Sequence, residues 1–416
     1  MRNHRFLFSF LLVLSIHIFF PGTSWPQMTL GQYEDEAPFR TWNSFGIATA
    51  SSLALGETQF TIAADCSVAL SNPALLSHLP RITFTLSSSL NSASFYKYSI
   101  VNTGVLFTGE NLSSELFGLD FAGASFRVKN WTLALSMALV ESYHRPKAGY
   151  SSTYGGYLYE SIYFEQEGVL KNINFSIARE IFNGLSAGFG LNYVYGRFEK
   201  TVTDIDHAYN ITITDILSHE FKGFFLNGGL LWNLTEKIAI AAVFRTPFVK
   251  KSDGKSLKRT YLPDTDTDIK IEVSGRSEYK QPLVVGLGVS YQISPELKVS
   301  SDLIFYNWSK YSIIYFGQEN ELPRNFKDTI KIGAGIEQMV SVDIFGQKIS
   351  IPLRAGLSYD PQPMKKPGSS YFYYSLGTGF HWEKFHLDAG LLFGQEKGSG
   401  DSLSGRKAVL SLTLEL

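Results

Sequence analysis

Cysteine is nearly missing from this chain. Cys66 is the only one in 416 residues. A disulfide framework is therefore excluded, and Cys66 lies too far from the N-terminus to anchor a lipid. Charge is sparse as well: Asp, Glu, Lys and Arg make up 18% of the residues, where a soluble domain carries about a quarter. The 37 Lys+Arg against 38 Asp+Glu leave a net charge of -1, so there is no overall electrostatic case for nucleic acid. No apolar run of 18 residues occurs after the N-terminal segment, which excludes helical membrane spans in the mature chain. The eight histidines are scattered without metal-ligand spacing, and no Gly-rich loop opens a helix to hold phosphate. Gly188-Phe189-Gly190 and Gly377-Thr378-Gly379 fall inside strand-like segments, where glycine marks a bend or a close approach. The sequence holds no catalytic constellation, no cofactor site and no metal site, so an enzyme is not expected.

Aromatics are what the chain has in quantity: 32 Phe, 22 Tyr and 6 Trp, with 36 Gly beside only 15 Pro. That composition excludes a disordered chain. Mean hydropathy is nevertheless -0.01. An aromatic, Gly-rich, charge-poor chain of neutral hydropathy fits a membrane β-barrel, whose strands alternate lipid-facing and lumen-facing residues, or a large soluble β-protein. The N-terminus favours the first. Arg2, His4 and Arg5 precede the apolar run Phe6–Phe20, and Pro21-Gly22-Thr23-Ser24 follows. Residues 1–24 read as a secretory signal peptide cleaved between Ser24 and Gln27. The alternative is a single anchoring helix, for which the run is short of the roughly 20 residues a span needs.

Two-residue alternation then recurs. Leu410, Leu412, Leu414 and Leu416 face away from Val409, Ser411, Thr413 and Glu415, and Ile330, Ile332, Ala334 and Ile336 away from Lys331, Gly333, Gly335 and Glu337. This is a strand signal. Fourteen such segments follow residue 81, near 82–97, 118–128, 131–141, 162–179, 184–198, 219–233, 238–249, 269–293, 297–311, 328–340, 348–360, 371–383, 385–396 and 406–416. Short turns such as Lys129-Asn130 alternate with connections of about 10–20 residues, the layout of an outer-membrane barrel; a soluble sandwich has no reason to alternate its loops this way. The expected fold is all-β: a 14-stranded antiparallel transmembrane β-barrel over residues 81–416. Fourteen strands enclose a lumen too wide for side chains alone to fill. Residues 25–80, rich in small side chains, are thus expected to form an N-terminal leader and a hatch plugging the lumen; a flexible periplasmic leader is the alternative.

The stretch from Asn43 through Ala63-Ala64-Asp65 to Ser71-Asn72-Pro73-Ala74-Leu75 resembles the N-terminal hatch of the FadL/TodX family of outer-membrane hydrophobic-compound transporters. Asn307-Trp308-Ser309 sits where members carry a Trp-Ser pair, and Leu353-Arg354-Ala355-Gly356-Leu357-Ser358-Tyr359-Asp360 followed by Pro361 and Pro363 is similar to another family stretch. The resemblance runs in order over most of the mature chain. Departures are the terminal Leu416, where barrels commonly end in an aromatic, and the regions 141–163 and 199–218, which carry no family motif.

The resemblance implies the outer membrane of a Gram-negative-type bacterium and passive uptake of long-chain fatty acids or other hydrophobic compounds. It implies extracellular capture, passage to a lumen pocket, and release, sideways through the wall, by movement of a hatch bearing Asn72, Pro73 and Ala74. Outer-membrane lipid, lipopolysaccharide and, during biogenesis, the barrel-assembly machinery are the expected partners of a monomer. Leu106, Phe107 and Phe117 in the first long connection and Tyr154 and Tyr157 in the second are unusually apolar for exposed loops; they suit an entry surface or a packed lid. Of the charges on the strands' non-lipid faces (Arg245, Lys270, Glu272, Asp302, Lys331, Glu337, Arg354, Asp388 and Glu415), Arg245, Lys331 and then Arg354 are the candidates to meet a ligand carboxylate, with salt-bridged support of the hatch as the other reading. Trp131, Trp232, Trp308 and Trp382 near strand ends suggest an interfacial girdle. A general diffusion porin and a barrel scaffold or accessory subunit of a secretion system are the competing functions.

Overall fold

The computed structural model describes residues 49–416 apart from 96–98, 103–104, 110–111, 144, 315, 317–321, 324–325, 345, 367 and 399–403; the signal segment and the leader up to residue 48 lie outside the described residues. Fourteen antiparallel strands close into a barrel. They are β1 (Ile82–Phe95), β2 (Leu112–Val128), β3 (Trp131–Ser142), β4 (Tyr157–Phe182), β5 (Leu185–Asp206), β6 (Ile211–Asn233), β7 (Ile238–Arg245 and Phe248–Leu262) and β8 (Thr267–Gln281 and Val284–Ser294). There follow β9 (Leu297–Tyr306), β10 (Thr329–Ile344), β11 (Gln347–Pro361), β12 (Ser370–Trp382), β13 (Phe385–Lys397) and β14 (Ser404–Glu415). Closure is made by β1 on β14, from Thr83↔Glu415 to Ser94↔Ser404.

Alternation sorts the two faces. Phe84, Leu86, Leu135, Phe175, Phe189 and Leu287 stand on the outside, exposed, as a lipid-facing surface requires. Their strand neighbours Thr83, Thr85, Ser136, Asn174, Ser186 and Ser290 are buried against the lumen contents. Trp131, Trp232 and Trp382 are exposed at the short-turn end, where an interfacial girdle belongs. Trp308 differs: it is buried, stacked on Tyr306 and met edge-on by Tyr311, because a 3-10 turn at Trp308–Lys310 swings it off the strand.

The regions 141–163 and 199–218, read from sequence as loops, are mostly paired strand. A continuation of β3, Arg145–Tyr154, lies on β4, while β5 runs out to Asp206 and β6 starts at Ile211. β4 is 26 residues long, whereas about 10 tilted residues cross a membrane. β4–β8 therefore project a sheet well beyond the extracellular rim.

The hatch occupies the lumen. Helices α1 (Ala50–Ala54) and α2 (Val68–Ser71) and the 3-10 turn Pro73–His78 are built from small and aliphatic residues, nearly all buried. Gly56 and Glu57 both take left-handed φ, 66° and 65°, and turn the chain away from α1. The barrel accommodates this fold by removing side chains where it comes closest. A Cβ on Gly356 would lie 1.9 Å from the Gly56 nitrogen, and one on Gly229 would lie 2.0 Å from Asn72 Oδ1.

Candidate functional site

The site begins with the attachments of the hatch. Asp302 on β9 is buried and its Oδ2 accepts the backbone N–H groups of Gln59 at 2.7 Å and Phe60 at 3.1 Å. One turn of chain earlier, the Thr58 and Ser300 hydroxyls are 2.6 Å apart. The Ala50 N–H donates to Ser411 Oγ (2.8 Å) and the Gly56 N–H to Ser375 Oγ (2.9 Å). On the other side of the lumen, Asn227 Nδ2 donates to the Ala69 and Leu70 carbonyls at 2.9 and 3.0 Å. Short polar side chains of the wall thus satisfy an otherwise irregular backbone, as burial demands.

Asn72, Pro73 and Ala74, expected to carry the hatch motif, lie where the hatch meets the wall. Asn72 Nδ2 donates to the Phe60 carbonyl (2.7 Å) and to that of Leu230 on β6 (3.3 Å), while its Oδ1 accepts the Ala74 N–H (3.1 Å). Asn72 so ties two arms of the hatch to the barrel and caps the 3-10 turn that Pro73 opens; proline lacks an N–H and suits that first position. Ala74 is fully buried.

The three candidate cations are distributed around this plug. Lys331 is buried and paired with hatch Glu57, with Asp360 at 3.9 Å; Glu57 also accepts from the Ser358 hydroxyl at 3.2 Å. Arg354 lies between Glu337 (2.6 Å) and Asp388 (2.5 Å), and His381 Nε2 is 3.1 Å from the same Asp388 oxygen. Arg245 is half-buried, its guanidinium 5.7 Å from the centre of the Phe225 ring, and stands directly opposite the hatch anchor Asn227, its register partner. Lys270 and Glu272, grouped with them in sequence, are exposed on the extracellular projection in ion pairs with Asp268 and Lys255.

A further cation was not singled out. Lys250 is buried, with Nζ 4.5 and 5.3 Å from the ring centres of Phe221 and Tyr279, 3.4 Å from the Tyr143 hydroxyl and 4.0 Å from Glu141. Tyr143 meets Phe198 edge-on at 5.2 Å, and His219 stacks on Phe221 at 5.6 Å. These side chains come from β3 and the bend after it and from β5–β8. They form an aromatic cluster around one ammonium group in the lumen.

The wall also has a seam. Pairing between β2 and β3 stops at Phe121↔Ala138. At that level the β1–β2 register skips Asp120 and the β3–β4 register skips Val140, so two neighbouring strands carry bulges at one height, and bulges end pairing and re-aim side chains. Asp120 is turned inward, 2.7 Å from Lys407. Tyr143 follows the other bulge, held by its N–H to the Gly168 carbonyl at 3.0 Å.

Of the expected entry surface, Leu106 and Phe107 fall on the strand Val105–Gly109, Phe117 on β2 and Tyr154 on Arg145–Tyr154; their side chains lie outside the described residues. Tyr157 is 83% exposed at the start of β4. Glu160, three residues on at the same extracellular end, stands opposite Asp206. Burial, then the nearby charges of Asp204 and Asp206, push its carboxyl up to about 7.

A closed barrel whose lumen is filled by its own N-terminal segment is a plugged outer-membrane channel. The sequence profile of the outer membrane protein transport family (OMPP1/FadL/TodX) matches residues 42–402, and the chain belongs to that family. No curated protein sequence matches it. Among solved structures the fold is similar to the toluene transporter TbuX of Ralstonia pickettii (14% identity, 90% of this chain and 99% of that one, TM-score 0.62). It is likewise similar to a FadL homologue of Pseudomonas aeruginosa (13% identity, 90% and 98%, TM-score 0.64) and to the Pseudomonas putida toluene transporter TodX (14% identity, 90% and 99%, TM-score 0.63). The protein is therefore a Gram-negative outer-membrane transporter of hydrophobic compounds, and the family is one of transport proteins, not enzymes.

Proposed function

We propose that the substrate is an amphiphile with a long apolar chain and one carboxylate, a long-chain fatty acid in its simplest form. The observation that carries this reading is the buried Lys250 ammonium inside an aromatic cluster, held among the described residues by one carboxylate, at 4.0 Å. An apolar lining with one cation suits a carboxylate on a hydrocarbon chain; a neutral hydrocarbon has no use for the cation. Leu106, Phe107, Phe117, Tyr154 and Tyr157 form the entry surface in this scheme. The chain enters among the aromatics, its carboxylate displaces Glu141 from Lys250, and Arg245 receives it next. Lys331 and Arg354, each bound to two carboxylates, act on the ligand indirectly, through the seating of the hatch. Release runs through the β2–β3 seam when the segment around Asn72-Pro73-Ala74 shifts.

Uptake of labelled oleate and labelled toluene into proteoliposomes tests the scheme. Wild type is expected to take up oleate preferentially, and Lys250→Met to lose most of that preference while still passing toluene. Toluene uptake outpacing oleate in both proteins would favour the second reading, a neutral aromatic substrate, for which the aromatic cluster alone is the supporting observation.

A further inference from the structure

The extracellular part of β8, Thr267–Gln281, pairs along its length with β7, from Leu262↔Thr267 to Phe248↔Gln281. On its other side, among the described residues, only Glu278, Tyr279 and Lys280 have strand partners, in Ser312–Ile314. Among the described residues, the backbone from Thr267 to Ser274 therefore has no strand partner on this side, outside the membrane. Its odd positions, Ile269, Ile271 and Val273, are 42%, 59% and 52% exposed; its even positions alternate in sign, Asp268, Lys270, Glu272. Natural edges are usually blunted by cover, bulges or charge. Here the charges are arranged to be matched.

We propose that this edge is a contact with a second copy of the chain, the two strands pairing antiparallel about a two-fold axis at Ile271. In that register Ile271 faces Ile271, Ile269 faces Val273 twice, and Lys270 faces Glu272 twice. Two exposed apolar rows join on one face and two opposite-charge pairs form on the other; both kinds of cross-strand pair are favourable. Moving the axis to Lys270 sets Lys270 against itself and Asp268 against Glu272, and moving it to Glu272 sets that carboxylate against itself. The sequence therefore selects one register of a self-complementary interface, as a two-fold contact requires. The present partners of Lys270 and Glu272, Asp268 and Lys255, are exposed ion pairs of the kind that holds a side chain only weakly. Because the paired strands run oppositely and each leads into its own barrel at the Gln281 end, the barrels lie at opposite ends of the contact. Copies in one membrane all project this hairpin the same way, so the contact suits copies in two facing membranes.

Cysteine cross-linking and charge reversal on the full detergent-purified protein test this. Native Cys66 is buried and does not compete. Ile271→Cys is expected to oxidise to a covalent dimer. Lys270→Cys alone should not, but an equimolar mixture of Lys270→Cys and Glu272→Cys should. Lys270→Glu turns two attractive pairs into two repulsive ones and should weaken dimerisation by roughly 30-fold, and adding Glu272→Lys should restore it. Wild-type proteoliposomes should cluster and Lys270→Glu proteoliposomes should not. Absence of the Ile271→Cys dimer, self-linking of Lys270→Cys as readily, or indifference to Lys270→Glu would each overturn the contact. Dimers in detergent without vesicle clustering would overturn the facing-membrane arrangement.

Discussion

Replacing Asp302 by alanine should unlatch the hatch. Its carboxylate oxygen accepts two hatch N–H groups, from Gln59 and Phe60, at 2.7 and 3.1 Å in a fully buried setting. Alanine leaves both donors without that acceptor, at a cost of about 1–3 kcal/mol each. Against this stands relief from burying a carboxyl group, itself unfavourable, so the net loss is near the low end, roughly 2–3 kcal/mol. That corresponds to a shift of roughly 30- to 150-fold toward the displaced hatch. Ser300→Ala is the internal standard, since it removes one neutral contact to Thr58, about 1 kcal/mol or fivefold. Conductance in planar bilayers reads the displaced state directly, and resistance of the barrel to SDS without heating shows that the wall is intact. A folded Asp302→Ala barrel whose open events are no more frequent than those of Ser300→Ala would refute the idea that these two hydrogen bonds hold the plug.

Other perturbations separate the parts. Gly356→Val places a side chain where a Cβ alone would be 1.9 Å from hatch backbone, so it should raise conductance at least as much as Asp302→Ala while the barrel still assembles; a closed, folded Gly356→Val barrel would contradict the packing. Lys331→Met strands the hatch carboxylate Glu57, a loss of about 3–5 kcal/mol for a broken buried pair, and Lys331→Met with Glu57→Gln should recover most of the closed state in a double-mutant conductance cycle. At the extracellular tip, the raised carboxyl of Glu160, about 7, favours its protonated form when folded. Stability from this group is complete below its ordinary range near 4.5 and is lost as pH rises through about 7. Protection of β4 and β5 amides near residues 160 and 206, taken relative to their intrinsic exchange rates at each pH, should therefore fall from pH 5 to pH 8, and Glu160→Gln should abolish most of that fall.

The strands and their lipid face were legible because period-two alternation holds wherever one face meets lipid. Leu410, Leu412 and Leu414 against Val409, Ser411 and Thr413 read the same in sequence and in space. The hatch was legible in outline: its small residues and Asn72-Pro73 are what a tightly packed, cap-and-turn segment needs. Its anchors were less so. Asp302 was one among nine charges expected to face inward, and nothing in the order of residues says that it meets backbone while Arg354 meets two carboxylates. The projecting hairpins were read as loops because both their faces are wet, so apolar and polar residues no longer sort by parity.

Lys250 and Tyr279, and the inward direction of Tyr143, escaped for a more particular reason. On β7 the buried positions are odd at Ala241 and Val243 but even at Lys250 and Ser252, with Thr246-Pro247 between. On β8 they are odd at Ser277 and Tyr279 but even at Val284, with Pro282 between. On β3 Ala134 and Ala138 are buried, then Tyr143, across the bulge at Val140. One residue of slip sends every later side chain to the other face. Extending the lower alternation would point Lys250, Tyr143 and Tyr279 outward or leave them unassigned. In the fold, all three slips lie beside the cluster and converge on the Lys250 ammonium. A regular strand cannot supply an inward aromatic layer at that height while its lower half keeps small residues inward for the hatch and large ones outward for lipid. The slips reset the phase between those two demands, so the places where alternation fails mark the top of the plug and the start of the aromatic layer above it.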